Sequence, residues 1–145
     1  MGKTVKTVVT HSYFLKQDAH LASKDVWERS QRQLAANGAV MRTCILGILN
    51  YQNLEQVVEQ TVQYAKVTHY DPRCIVSCLA VTLFIALVLQ ENPQQVNSDA
   101  IVQYIQRAYD LVVTMYLQNE KYTAEYGDEQ LMARTQSELK SVLDI

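Results

Sequence analysis

"PRCIVSCLAVTLFIALVLQ", Pro72 to Gln90, is the stretch on which the fold of this chain turns. From Cys74 to Leu89 it carries no charge, and its apolar side chains would cover every face of a helix. Such a helix either crosses a membrane or is wrapped by other helices. The uncharged run falls short of the roughly 20 residues a bilayer needs, Ser77 and Thr82 interrupt it, and the flanking segments are amphipathic. The wrapped reading is therefore expected. Its start is also marked: Asp71 is a natural N-cap, and Pro72 stands at the first helical position, where a missing N–H costs nothing.

The segments on either side also read as helices, because apolar residues recur at three and four and no ladder of short alternating runs occurs. On the N-terminal side, "NLEQVVEQTVQYAKV" opens with Asn53 and has Gln56 three places on, a variant of the capping box. Before it, a helix is expected to follow Asn37-Gly38 and to carry Val40, Met41, Cys44, Ile45, Ile48 and Leu49 on its apolar side. A helix from about Ala19 to Arg32 would bury Leu21, Val26 and Trp27, and the first helical region is Lys3 to His11. On the C-terminal side "ENPQQVNSDA" is a loop. A helix follows from Ala100 to about Glu120, capped by Asn97 or Ser98, with Ile101, Ile105, Ala108, Val112 and Met115 inward, and a last one runs from Glu129 to Leu143. The predicted fold is all-α, a multi-helix bundle around one central apolar helix, with residues 1–145 as a single domain.

Composition narrows the function. A chain of 145 residues with 48% hydrophobic residues, 4 Gly, 2 Pro and a net charge of -2 is neither disordered nor suited by charge to nucleic acid. Lys3 and Lys6 flank valines but no signal peptide follows, and Met1-Gly2 lacks the Ser or Thr at position 6 that myristoylation favours. Cys44, Cys74 and Cys78 lie in apolar helical stretches and read as reduced core thiols, which suits the cytoplasm. Cys74 and Cys78, four apart with His69 nearby, lack the second pair that a structural zinc site needs. There is no Gly-x-Ser-x-Gly elbow, Walker loop or dinucleotide fingerprint. His11 and His20 read as surface or loop-edge residues.

Two loop-to-helix junctions remain, "AANGAVMR" and "THYDPR". Asn-Gly usually marks a tight turn. At a helix mouth, with unpaired N–H groups and a positive dipole, it could form a small anion-binding nest. An ordinary N-cap accounts for the same residues.

Taken in order, "NGAVMR" and "THYDPR", each followed by an apolar helix, resemble the central part of the ADP-ribosylglycohydrolase family, which includes dinitrogenase reductase-activating glycohydrolase and J1 crystallin. The resemblance covers roughly residues 3–89, with "VVTHSYFLKQD" and "VWERSQRQLA" upstream. It implies an all-α globule around a two-magnesium centre and hydrolysis of the N- or O-glycosidic bond joining ADP-ribose to a modified side chain or related acceptor. It also implies substrate-binding roles: Asn37 facing the ribose, Gly38 and the backbone from about Leu34 approaching the diphosphate, and His69 hydrogen-bonding or packing near the same ribose. Thr68, Asp71 and Pro72 would fix the position of His69. Met41 and Arg42 read first as helix packing and a structural ion pair.

The family's two acidic metal-binding runs, a Thr-Asp-Asp type before the Asn-Gly motif and an Asp-Thr-Asp type near the C-terminus, have no counterpart here. Magnesium, the cofactor expected of a full-length member, would orient ribose and activate water, so no catalytic or metal-ligating residue is named. The chain is expected to be an internal fragment of a larger ADP-ribosylglycohydrolase domain, inactive by itself. The expected partners are ADP-ribose or an ADP-ribosylated protein, without nucleic acid or membrane. The alternative is a non-catalytic helical remnant or interaction module that binds ADP-ribose weakly or self-associates through exposed core.

Overall fold

The computed structural model describes residues 2–91 and 97–143, and among these it contains helices, turns and bends but no strand. In chain order the helices are α1 (Lys3–Val9), α2 (Ala19–Arg29), α3 (Val40–Thr43), α4 (Leu46–Leu49), α5 (Leu54–Lys66), α6 (Pro72–Gln90), α7 (Ser98–Val112), α8 (Glu120–Thr123) and α9 (Glu129–Leu143). A π-helical turn, Val113–Leu117, extends α7.

α6 is the central element. It packs against α3, α4, α5, α7 and α9, and Ile75, Cys78, Leu79, Leu83, Ala86 and Leu87 are all buried. Each fully buried leucine or isoleucine side chain contributes about 1.5–3 kcal/mol, which is why the most apolar segment takes the middle. By length and composition α6 would also pass for a membrane span. Most of its residues are buried against neighbouring helices, as the wrapped reading expects. Its polar residues are absorbed locally: Thr82 Oγ1 donates to the Cys78 carbonyl at 3.0 Å and accepts from Thr61 Oγ1 of α5 at 3.1 Å.

The starts of α5 and α6 follow their caps. Asn53 accepts from the Gln56 N–H at 3.1 Å, and Asp71 accepts from the Arg73 N–H at 2.9 Å with Pro72 in the first turn. The capping box is half-formed, since the Asn53 N–H donates to the Asn50 carbonyl at 2.8 Å. Asn97 caps α7 through the Ala100 N–H. Residues 92–96 of the expected loop lie outside the described residues.

Other boundaries differ from expectation. α1 stops at Val9 rather than His11, and α2 stops at Arg29 rather than Arg32. Gln31 and Arg32 adopt left-handed φ values of 56° and 61°, and the Arg32 N–H returns to the Trp27 carbonyl at 3.0 Å. That is the helix ending usually built on glycine, so no glycine advertised it. Leu21 faces solvent at 51% exposure, while Val26 and Trp27 are buried. α7 begins at Ser98, and its extension ends at Leu117 rather than about Glu120; α8 was not foreseen.

The largest correction concerns the helix after Asn37-Gly38. It is two short helices, α3 and α4, and the residues they bury are Thr43, Leu46 and Gly47. Met41, Ile45, Ile48 and Leu49, expected inside, are 81%, 50%, 49% and 64% exposed. Gly47 is the reason. It lies so close to α6 that a Cβ there would collide with the Thr82 carbonyl oxygen and stand 3.0 Å from the Ile85 Cβ. The segment turns its narrowest side inward and its widest side out.

Candidate functional site at the Gly38–His69 junction

α5 ends at Lys66, and Val67 to Asp71 turn the chain into α6. His69 is fixed within that turn by its N–H, which donates to the Ala65 carbonyl at 3.0 Å. The side chain is 1% exposed. Nδ1 lies 2.8 Å from Thr68 Oγ1 in a hydrogen bond whose direction depends on the tautomer. Nε2 is buried, with no hydrogen-bond partner among the described residues. Above it lies Gly38, where a Cβ would stand 3.4 Å from Nε2 and 3.5 Å from Cε1. The two junctions singled out in the sequence therefore meet, with the histidine of one against the glycine of the other. Asn37 is exposed beside this contact.

Burial lowers the imidazole pKa to about 4, and the Arg42 guanidinium adds to the effect. His69 is thus neutral at pH 7, with one ring nitrogen engaged and the other free to form one hydrogen bond.

Asp71 and Pro72 follow His69 in the chain and start α6. Asp71 is completely buried, and its carboxylate accepts from Trp27 Nε1 at 2.9 Å, the Arg73 N–H and Nε at 2.9 Å each, and Arg73 Nη2 at 2.8 Å. With four donors and no exposure, it is a structural anchor rather than a base for a reacting water.

Among the described residues Arg42 has no ion pair, contrary to expectation. Its Nη2 donates to the Tyr64 and Ala65 carbonyls at 3.0 and 3.2 Å, closing the C-terminal end of α5. Met41, expected to pack, points to solvent. Left-handed backbone occurs at Gln31 and Arg32 rather than at Gly38, and α3 has no side-chain cap. The Asn-Gly pair makes a turn without left-handed backbone, and a Cβ at Gly38 would meet the His69 ring only at ordinary contact distance.

The three cysteines are free, Cys74 and Cys78 buried and Cys44 half-buried. Burial pushes the Cys74 thiol up to about 12 and Cys78 upward as well. Cys74 Sγ donates to the Ala36 carbonyl at 3.3 Å. Trp27, Arg73 and Cys74 as supports of this region were missed in the sequence, since their partners lie about forty positions away with no local signal. His11 and His20 are elsewhere, bonded to Asp25 and to the Gln63 carbonyl.

The ADP-ribosylglycohydrolase family model matches residues 1–143. With a match of that extent over an all-helical chain, the protein belongs to the ADP-ribosylglycohydrolase family. No curated protein and no solved structure matches it. The donor set does not fit the magnesium pair that the resemblance implies: among the described residues no three His, Cys, Asp or Glu side chains stand close enough to hold a metal ion, and the Asp71 oxygens are already taken.

Proposed function

We propose that this chain forms the ribose- and diphosphate-facing part of an ADP-ribose site, with Asn37 beside the ribose, the backbone from about Leu34 to Gly38 along the diphosphate, and His69 bonded to a ribose hydroxyl. The observation that carries it is Nε2 of His69, buried, unpartnered and turned to Gly38. A buried polar atom left unpaired costs about 1–3 kcal/mol, and a ligand hydroxyl reaching it would remove that cost. Thr68 sets the sense of the bond: when its hydroxyl donates to Nδ1, Nε2 carries the proton and donates. When Nδ1 donates, Nε2 accepts. A sugar hydroxyl satisfies either.

No hydrolytic step is assigned to these residues, because the donor set does not fit magnesium and Asp71 is saturated. The chain's contribution is recognition of ADP-ribose or of an ADP-ribosylated protein. Its three free thiols fit a reducing compartment such as the cytoplasm. Calorimetric titration with ADP-ribose should show binding that Asn37→Ala and His69→Ala each weaken about tenfold or more. Equal affinity in all three proteins would sink the assignment. Incubation with ADP-ribosyl-arginine or ADP-ribosyl-serine and magnesium should give no release of ADP-ribose.

A second reading, a non-catalytic interaction module, is favoured by the exposed strip Met41, Ile45, Ile48 and Leu49. It does not require ADP-ribose, so the same titration separates the two.

A further inference from the structure

His69 Nε2 has no route to solvent while Gly38 lies over it. Gly38 belongs to the loop from Gln31 to Ala39, so movement of that loop would uncover the nitrogen on this side, and what holds the loop down bears on the site. Its base is strained, since Gln31 and Arg32 are consecutive non-glycine residues with left-handed φ. Such backbone persists only when its surroundings impose it.

Within the segment the Arg32 N–H bonds to the Trp27 carbonyl, the Arg32 guanidinium lies 5.1 Å from the Trp27 ring centroid, and Leu34 and Ala39 pack against the core; beyond these, polar contacts with three residues further along the chain tie it down. Arg32 Nη1 reaches Asp128 at 3.3 Å, but both side chains are more than a third exposed, and pairs of that kind hold little. Cys74 Sγ donates to the Ala36 carbonyl, a weak bond. The third comes from Arg73, whose side chain is 18% exposed. Its Nε and Nη2 grip Asp71, and the same Nη2 donates to the Arg32 carbonyl at 3.2 Å. A planar, charged fork thus ties the anchored start of α6 to the strained base of the loop.

We infer that Arg73 is a positioning residue that clamps the Gln31–Ala39 loop over His69 and thereby sets access to Nε2. The inference rests on the ADP-ribose reading for its functional meaning, whereas the clamp itself is testable without ligand. Lysine at position 73 would keep the charge, yet one ammonium cannot reproduce the fork that spans both Asp71 oxygens and the Arg32 carbonyl.

Cys74 lies under the loop and reports its opening, while Cys78, one turn further along α6, has no bond to it. Pulse labelling of the full chain with N-ethylmaleimide, read thiol by thiol by mass spectrometry, should show Cys74 modified about tenfold faster in Arg73→Lys, with Cys78 unchanged. Gln31→Gly, which relieves strain in the closed loop, should slow Cys74 and decides the matter if Arg73→Lys fails to fold. Unchanged Cys74 rates, or Cys74 and Cys78 accelerating together, would overturn the clamp. Failure of the wild-type chain to bind ADP-ribose would remove the ligand assignment and leave the labelling result to decide the clamp.

Discussion

One nitrogen atom, Nε2 of His69, makes a prediction about stability as well as binding. The folded chain holds the imidazole at about 4 against an ordinary 6.5, mainly through burial. A depressed histidine pKa means that between these values the unfolded chain takes up a proton that the folded chain refuses. Stability is then fully present above pH 6.5 and falls as pH is lowered toward 4, by on the order of 3 kcal/mol for the whole shift. Urea unfolding at pH 7 and at pH 4.5 should show this loss in the wild type and a flatter profile in His69→Gln. Parallel profiles would mean that His69 is not the group responsible. The sequence marked His69, Thr68, Asp71 and Pro72 as one motif. It did not show that Trp27 Nε1 and the Arg73 fork would saturate Asp71, because Trp27 reads locally as one more apolar residue.

Among the helices, α3 and α4 depart most from their sequence pattern. Val40, Met41, Cys44, Ile45, Ile48 and Leu49 have helical spacing, yet four of the six face solvent. Periodicity locates an apolar face but assumes that the face seeks the core. Here close approach governs: Gly47 lets the segment lie against Thr82 and Ile85 of α6. Gly47→Ala should therefore force α4 and α6 apart and destabilise the fold by about 1–3 kcal/mol, read as a lower urea midpoint at unchanged slope. A neutral result would mean the two helices are not tightly apposed. α5 and α6 follow their sequence closely, because their caps, lengths and apolar residues all lie within one short window, and α9 keeps its expected bounds.

For the molecule as a whole, the exposed strip along α3 and α4 is a liability in solution. From Thr43 to Leu54 the chain has no charge, so nothing opposes apposition of two such strips. Light scattering should detect concentration-dependent self-association that the double variant Ile45→Glu, Leu49→Lys suppresses while keeping the helical circular dichroism of the wild type. A monomer at all concentrations would remove self-association through this strip.

The amino-acid order was sufficient for the all-α class, the central place of Pro72–Gln90, the caps at Asn53 and Asp71, and the pairing of two motifs into one family resemblance. These depend on composition and on partners within a turn or two, where spacing along the chain is spacing in the helix. Folding in three dimensions settled which face of residues 40–49 turns inward, where α2 ends, and that Gly38 comes to lie against the buried His69 ring while Arg73 reaches the Arg32 carbonyl. Each of these depends on atoms brought together from distant parts of the chain, or on backbone strain that only such contacts can hold, and neither leaves a local pattern to read.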